Sequence, residues 1–184
     1  MKNNESIKST LNNETKSIAF GAGCFWCVEG VFSSVVGVLS TQIGYGGGRY
    51  PNPTYTSVSS DPSGHAELTI VRYDPKIIGL DQLIHVFLEI HDPNKQYTIN
   101  DKKGELYRSV IMYNSETQRD NIYSHLSTYQ KLQGKIITTE VLPLINYKSA
   151  EVKYQNYYSS NPEKPFCKNV IGPKIAKLRA KGII

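Results

Sequence analysis

The stretch Ile18-Ala19-Phe20-Gly21-Ala22-Gly23-Cys24-Phe25-Trp26-Cys27-Val28-Glu29 holds a change of backbone period. Its first five residues form a small apolar run that reads as a short strand ending in a glycine turn. Beyond the turn, Val28, Val31, Phe32 and Val35 recur as one face of a helix. Cys24 sits at the junction, where free backbone N–H groups and the helix dipole favour an anion. That placement lowers a thiol's pKa and makes it a nucleophile. The chain's single tryptophan, Trp26, follows beside Phe25. A reactive sulfur against an aromatic wall points to chemistry on a small apolar group.

Working outward, Val36 to Tyr45 is rich in β-formers and runs into Gly46-Gly47-Gly48. Tyr50 to Gly64 reads as a long surface loop with one helical turn around Tyr55 to Ser59, and long loops in compact domains are commonly functional. Ala66 to Tyr73 alternates as a strand, with Ala66, Leu68 and Ile70 on one side and Glu67, Thr69 and Val71 on the other. Asp81 is placed to cap a helix carrying Leu83, Ile84, Phe87 and Leu88, which ends before Asp92-Pro93. A polar loop over 94–105 leads to a strand over 107–113. Asn114 or Ser115 then opens a helix to about Gln133. A strand over 136–141, a tyrosine-rich helix over 150–159 and a last helix over 173–180 complete the reading. Strands separated by helices, several too close for parallel crossovers, predict an α/β sandwich around a mixed or antiparallel sheet.

The chain has 184 residues, enough for one domain with a full core and short for two. Charged residues at 20% and hydrophobic ones at 39% are ordinary for a globular protein. No apolar run reaches the roughly 20 residues needed to cross a membrane. Residues 1–16 are rich in Asn, Ser, Thr, Lys and Glu and lack a secretory apolar segment; they read as a disordered lead-in to a cytoplasmic domain over 17–184. The net charge of +5 comes from dispersed basic residues without a nucleic-acid motif. Three cysteines, an odd number, argue against a disulfide framework and for metal or redox work.

The Cys24–Cys27 pair has three readings. Zinc needs about four ligands, and only Cys167 and dispersed histidines remain. Inert burial fits Cys27, one turn inside the helix, better than Cys24. A redox thiol at Cys24, with Cys27 close enough for a disulfide, is the third. Gly64-His65-Ala66-Glu67 forms a second site. Glu67 turned toward a core would have a raised pKa and serve as a general acid, whereas the alternation alone favours an outward glutamate in a salt bridge. His65 reads as a turn or packing residue. Tyr55 and Tyr107 lie at loop-to-element junctions, where a phenol can donate into a cleft while its ring packs.

Together these pieces resemble the peptide methionine sulfoxide reductase A family. The resemblance is carried in order by Gly23-Cys24-Phe25-Trp26, Gly44-Tyr45-Gly46-Gly47-Gly48, Asn52-Pro53-Thr54-Tyr55, Gly64-His65-Ala66-Glu67, His91-Asp92-Pro93 and Tyr107-Arg108-Ser109. It implies an α+β fold: a two-layer sandwich with a mixed, mostly antiparallel sheet, a ferredoxin-like core and long loops. It implies reduction of the S-epimer of free and peptide-bound methionine sulfoxide. Cys24 matches the nucleophile, Glu67 the acid that protonates the leaving oxygen, Tyr55 and Tyr107 phenols that hydrogen-bond that oxygen, and Phe25 and Trp26 the methyl pocket. The resulting sulfenic acid needs a resolving thiol. Cys27 has helical spacing in its favour, and Cys167 matches a C-terminal cysteine that resolves in many relatives; the reading leans to Cys167. The resemblance further implies thioredoxin as electron donor without another cofactor or a metal, oxidised proteins as partners, and a monomer binding neither nucleic acid nor membrane.

The chain departs from the family pattern in three places. Lys102 stands where an aspartate is usual, with Asp101 one position early as a possible replacement and Leu106 in place of glutamine. Ser59 stands where many relatives have cysteine, and Tyr154 where histidine is frequent. The rival reading is a thioredoxin-like dithiol–disulfide oxidoreductase using Cys24 and Cys27, which leaves Glu67 and the tyrosine loops without a role. A basic module for nucleic acid would need stacking aromatics on an open sheet.

Overall fold

A computed structural model describes residues 15–60, 63–95 and 102–184. Its strands are β1 (Lys16–Ala22), β2 (Val38–Gly46), β3 (Ala66–Tyr73), β4 (Ser109–Tyr113), β5 (Glu140–Pro143) and β6 (Lys148–Ser149). The α-helices are α1 (Phe25–Phe32), α2 (Tyr55–Ser60), α3 (Leu80–Glu89), α4 (Lys102–Leu106), α5 (Glu116–Gln133), α6 (Tyr157–Ser160) and α7 (Gly172–Ala180). One sheet runs in the order β5-β4-β1-β3-β2-β6. Every pairing is antiparallel except β4 with β5. The inner order β4-β1-β3-β2, with α1 after β1 and α3 after β3, is the split βαβ of a ferredoxin-like core. The mixed, mostly antiparallel α+β sandwich expected from the sequence is therefore the fold.

Both faces of the central strands are buried. Ile18, Phe20, Val71 and Ile111 face the helices and pack with Val28, Phe32, Leu83 and Phe87. Phe20 stacks on Phe32 at 4.8 Å and on Phe87 at 5.0 Å between ring centres. On the opposite face Ala19, Ala66, Leu68, Val110 and Met112 are covered by Leu142, Leu144 and Tyr147. Burial of this apolar area, at roughly 25 cal/mol per Å2, is the main favourable term. Among the described residues no helix is long and apolar enough to cross a membrane.

Element ends follow local chemistry. Ser115 caps α5 by accepting from the Gln118 N–H, and Gly134 closes it at φ 63°. At α3 the cap is Gly79, whose N–H donates to the Gln82 side chain; Asp81 lies in the first turn instead. The strand expected over 136–141 begins only at Glu140. Ile137 and Thr138 give their N–H groups to the Gln130 side chain and the Pro93 carbonyl. The helix expected over 150–159 is broken into a 3-10 turn, Val152–Tyr154, and the short α6. Between them Asn156 is left-handed at φ 54°.

The C-terminal segment lands closely on α1. A Cβ at Gly30 would lie 2.7 Å from Ile171 Cγ2 and 3.1 Å from Tyr158 Cβ. Gly30→Ala is expected to cost about 1–3 kcal/mol through this overpacking. An unchanged urea midpoint would show that the segment is not held so tightly.

Candidate active site

Cys24 is the N-cap of α1, and Gly23 before it sits at φ 86°, a conformation that suits glycine. The Cys24 carbonyl accepts from the Cys27 N–H at 3.0 Å, closing the first turn. The Trp26 and Cys27 N–H groups hydrogen-bond the Cys24 sulfur. The remaining first-turn donor, Phe25 N–H, points to the neighbouring strand and donates to Glu67 Oε2 at 2.9 Å.

Glu67 faces α1 and is only 3% exposed. It lies opposite Tyr45 in the β2–β3 register, on the same side as Thr69, whose hydroxyl reaches the Phe25 carbonyl. The outward glutamate favoured by alternation is thus overturned. That reading assumes one buried face, but this sheet is covered on both, so the side of β3 opposite Leu68 meets α1 and not solvent. Burial pushes the Glu67 carboxyl up to about 8; the Phe25 N–H opposes the shift and charge on Cys24 adds to it. At neutral pH it carries a proton.

Cys27 hydrogen-bonds Cys24 through the two side chains. This contact, with burial adding to it, holds Cys24 above the usual thiol range, and the same contact holds Cys27 below it. The lowered Cys24 thiol expected at the helix start is thus overturned: the side-chain hydrogen bond makes Cys27 the lowered thiol of the pair. The Trp26 and Cys27 N–H groups act in the opposite sense and favour charge on Cys24. Cys167, 1% exposed, packs in the helix-side core. Cys27 packs against the same core cluster.

The aromatic groups enclose this corner. Phe25 lies 6.0 Å from Trp26 and 5.7 Å from Tyr45 between ring centres. Trp26 stacks on Tyr157 at 4.0 Å, meets the Phe166 edge, and donates its indole N–H to the Tyr154 carbonyl at 3.0 Å. Tyr55, 46% exposed at the start of α2, stands on the rim beside the Tyr154 ring. Tyr107 is pushed up to about 12 by burial, with the charges of Glu67, Cys24 and Tyr55 adding. Its ring packs against the same small core cluster as Cys24 and Trp26. Cys24, Glu67, Tyr107, Tyr55, Phe25 and Trp26, chosen from the sequence, gather at one corner of the fold.

Asp101 lies outside the described residues. His65 is a packing residue, as expected: its Nδ1 accepts from the Gly48 N–H and its Nε2 faces the Tyr50 carbonyl at 2.9 Å, which ties down the glycine loop. Sequence reasoning missed three groups. Tyr45 places a buried hydroxyl without a hydrogen-bond partner among the described residues. Tyr157 backs Trp26, and Glu29 binds the segment that carries Tyr157. The tyrosine-rich composition of 150–159 hinted at Tyr157 alone. Among the described residues no group of three or more His, Cys, Asp or Glu side chains is placed to hold a metal ion. A separate groove of about 800 Å3, between α3 and α5, is lined by Lys16, Tyr73, Asp81, Gln118 and His125 and contains none of the residues gathered at that corner.

Comparison with known proteins points the same way. The sequence model of the family described as peptide methionine sulfoxide reductase matches residues 16–183. The chain is 41% identical over 157 residues to the peptide methionine sulfoxide reductase MsrA of Sulfolobus acidocaldarius, covering 85% of this chain and 89% of that protein. It is 42% identical over 166 residues to the MsrA of Trichodesmium erythraeum, covering 89% and 93%. Its fold is similar to that of reduced Mxr1 from Saccharomyces cerevisiae, with a TM-score of 0.76 and 28% identity over 85% of this chain and 91% of the yeast chain.

Proposed function

The chain belongs to the peptide methionine sulfoxide reductase family and is an oxidoreductase of that class, and from that premise we propose how its site reduces the sulfoxide. One observation carries the reading: a buried Glu67, its carboxyl pushed up to about 8, is fixed by the Phe25 N–H beside the Cys24 thiol and the Phe25–Trp26 wall. A sulfoxide sulfur is a poor electrophile until its oxygen is protonated, so acid and nucleophile must approach from different sides.

The substrate's S-methyl group lies against Phe25 and Trp26, and its oxygen points to Glu67, Tyr107 and Tyr55. Cys24 gives its own proton to Cys27 across their hydrogen bond, and its Sγ attacks the substrate sulfur as Glu67 gives its proton to that oxygen. The oxygen passes to Cys24, which becomes a sulfenic acid, while the substrate sulfur gains two electrons and leaves as methionine. The pyramidal sulfur is chiral. With methyl and oxygen both fixed, one epimer alone leads the rest of the substrate out past Tyr55, and by the family resemblance this is the S-epimer. The open rim accepts free methionine sulfoxide and the same group in oxidised proteins.

Cys27 resolves the sulfenic acid first. Its sulfur already touches Cys24, so attack forms a Cys24–Cys27 disulfide and releases the hydroxyl as water. A thioredoxin dithiol then reduces this disulfide by exchange and becomes oxidised itself. Cys167, in the core cluster against which Cys27 packs, is the alternative exit for the disulfide. Three free thiols suit a reducing, cytoplasmic compartment. One chain, over residues 17–184, supplies every group the reaction uses, which fits a monomeric enzyme.

The test is turnover of separated S- and R-epimers of a methionine sulfoxide peptide with dithiothreitol as reductant. Methionine should form from the S-epimer only. Equal reduction of both epimers, or of neither while an unrelated disulfide is reduced, would sink this reading in favour of a plain dithiol oxidoreductase.

A further inference from the structure

Glu29 is the acidic residue of α1, is 1% exposed, and has no part in the proton transfers described above. A carboxylate this deeply buried requires partners, because taking one out of water costs several kcal/mol in real proteins. Its partners are two backbone N–H groups from the far end of the chain. Glu29 Oε1 accepts from Asn156 at 2.9 Å and Oε2 from Tyr157 at 3.1 Å. These are the donors that a continuous helix over 150–159 would have used internally. Taking them places Asn156 in the left-handed region and starts α6 at Tyr157.

The consequence reaches the substrate wall. Tyr157, held by its N–H, stacks on Trp26 with planes within 12°. Phe166 then meets both rings edge-on, and Cys167 follows into the core against α1. We infer that Glu29 is a positioning residue: its carboxylate docks the segment 156–167 on α1, which sets the rear of the Trp26 pocket and keeps Cys167 packed. The inference rests on the proposed function only in taking Trp26 as part of the substrate pocket.

Glu29→Gln tests it. The amide keeps the volume but turns an NH2 toward one backbone N–H, donor against donor, and loses half of the clamp. Trp26, the only tryptophan, reports on its own stacking. Its emission should shift and become more accessible to acrylamide. Alkylation of Cys167 by iodoacetamide, read by peptide mass, should accelerate about tenfold, the scale of one lost hydrogen bond to a charged group. KM for the S-sulfoxide should rise several-fold while kcat stays within about twofold. Glu29→Asp, which keeps the charge but shortens its reach, should fall between wild type and Glu29→Gln, and serves if the glutamine variant does not fold. A folded variant with a lower melting temperature but wild-type Trp26 emission and Cys167 reactivity would overturn the assignment. Trp26→Ala separates the two proposals: unchanged KM there would defeat the pocket reading and leave the Cys167 result standing.

Discussion

Glu67→Gln is expected to lower kcat/KM for the S-sulfoxide by about 10²–10³-fold, within the usual range for loss of a general acid. Glutamine has the same shape, and its carbonyl still accepts the Phe25 N–H that holds the wild-type side chain. Folding and KM should therefore change little, and the loss falls on kcat. The pH dependence gives a second signature. Glu67 must be protonated to act, and its carboxyl is pushed up to about 8. Wild-type activity should fall as pH rises through that value, as the proton needed by the leaving oxygen is lost. The variant has no proton to lose there, so its residual activity should lack this alkaline limb. A variant within threefold of wild type, or one that keeps the limb, would remove Glu67 from the acid role.

Glu67 also marks where the sequence stops being legible. Its presence on β3 follows from the alternation of Ala66 to Tyr73, but the face it occupies does not. That depends on Leu142, Leu144 and Tyr147 covering the opposite side of the sheet, and nothing local to β3 reports a cover so distant in the chain. The helix opened by Ser115 and closed near Gly134 was readable because its cap, its turn residue and its ladder are all local. The stretch 150–159 was misread for the converse reason. Its composition fits a helix, yet Glu29, 127 residues away from Asn156, takes the donors that would have made one. The positions of Cys24, Phe25 and Trp26 were legible because a strand-to-helix junction fixes them whatever the rest of the chain does. Tyr45 and Tyr157 meet the Phe25 and Trp26 rings through packing alone, and among 13 tyrosines neither sits at the loop-to-element junction that singled out Tyr55 and Tyr107.

The cysteines should separate into two functions when replaced one at a time. Cys24→Ser is expected to abolish methionine formation, since a serine hydroxyl cannot take up oxygen as a sulfenic acid. Cys27→Ser should behave differently. Cys24 and Glu67 remain in place, so one equivalent of methionine should still appear at close to the wild-type single-turnover rate. The sulfenic acid then lacks the neighbour that now touches it. Steady turnover with thioredoxin should fall about 10²-fold or more, the scale on which positioning of a reacting partner counts. A dimedone adduct on Cys24, absent from wild type, should mark the trapped intermediate. Cys167→Ser should leave both phases within about threefold, because Cys167 stays in the core against which Cys27 packs and forms a disulfide only by exchange with it. The opposite pattern, with turnover lost in Cys167→Ser and kept in Cys27→Ser, would show that the C-terminal segment leaves α1 in every cycle. A buried cysteine would then be the resolving thiol, and its release from the packing around Trp26 would limit the rate.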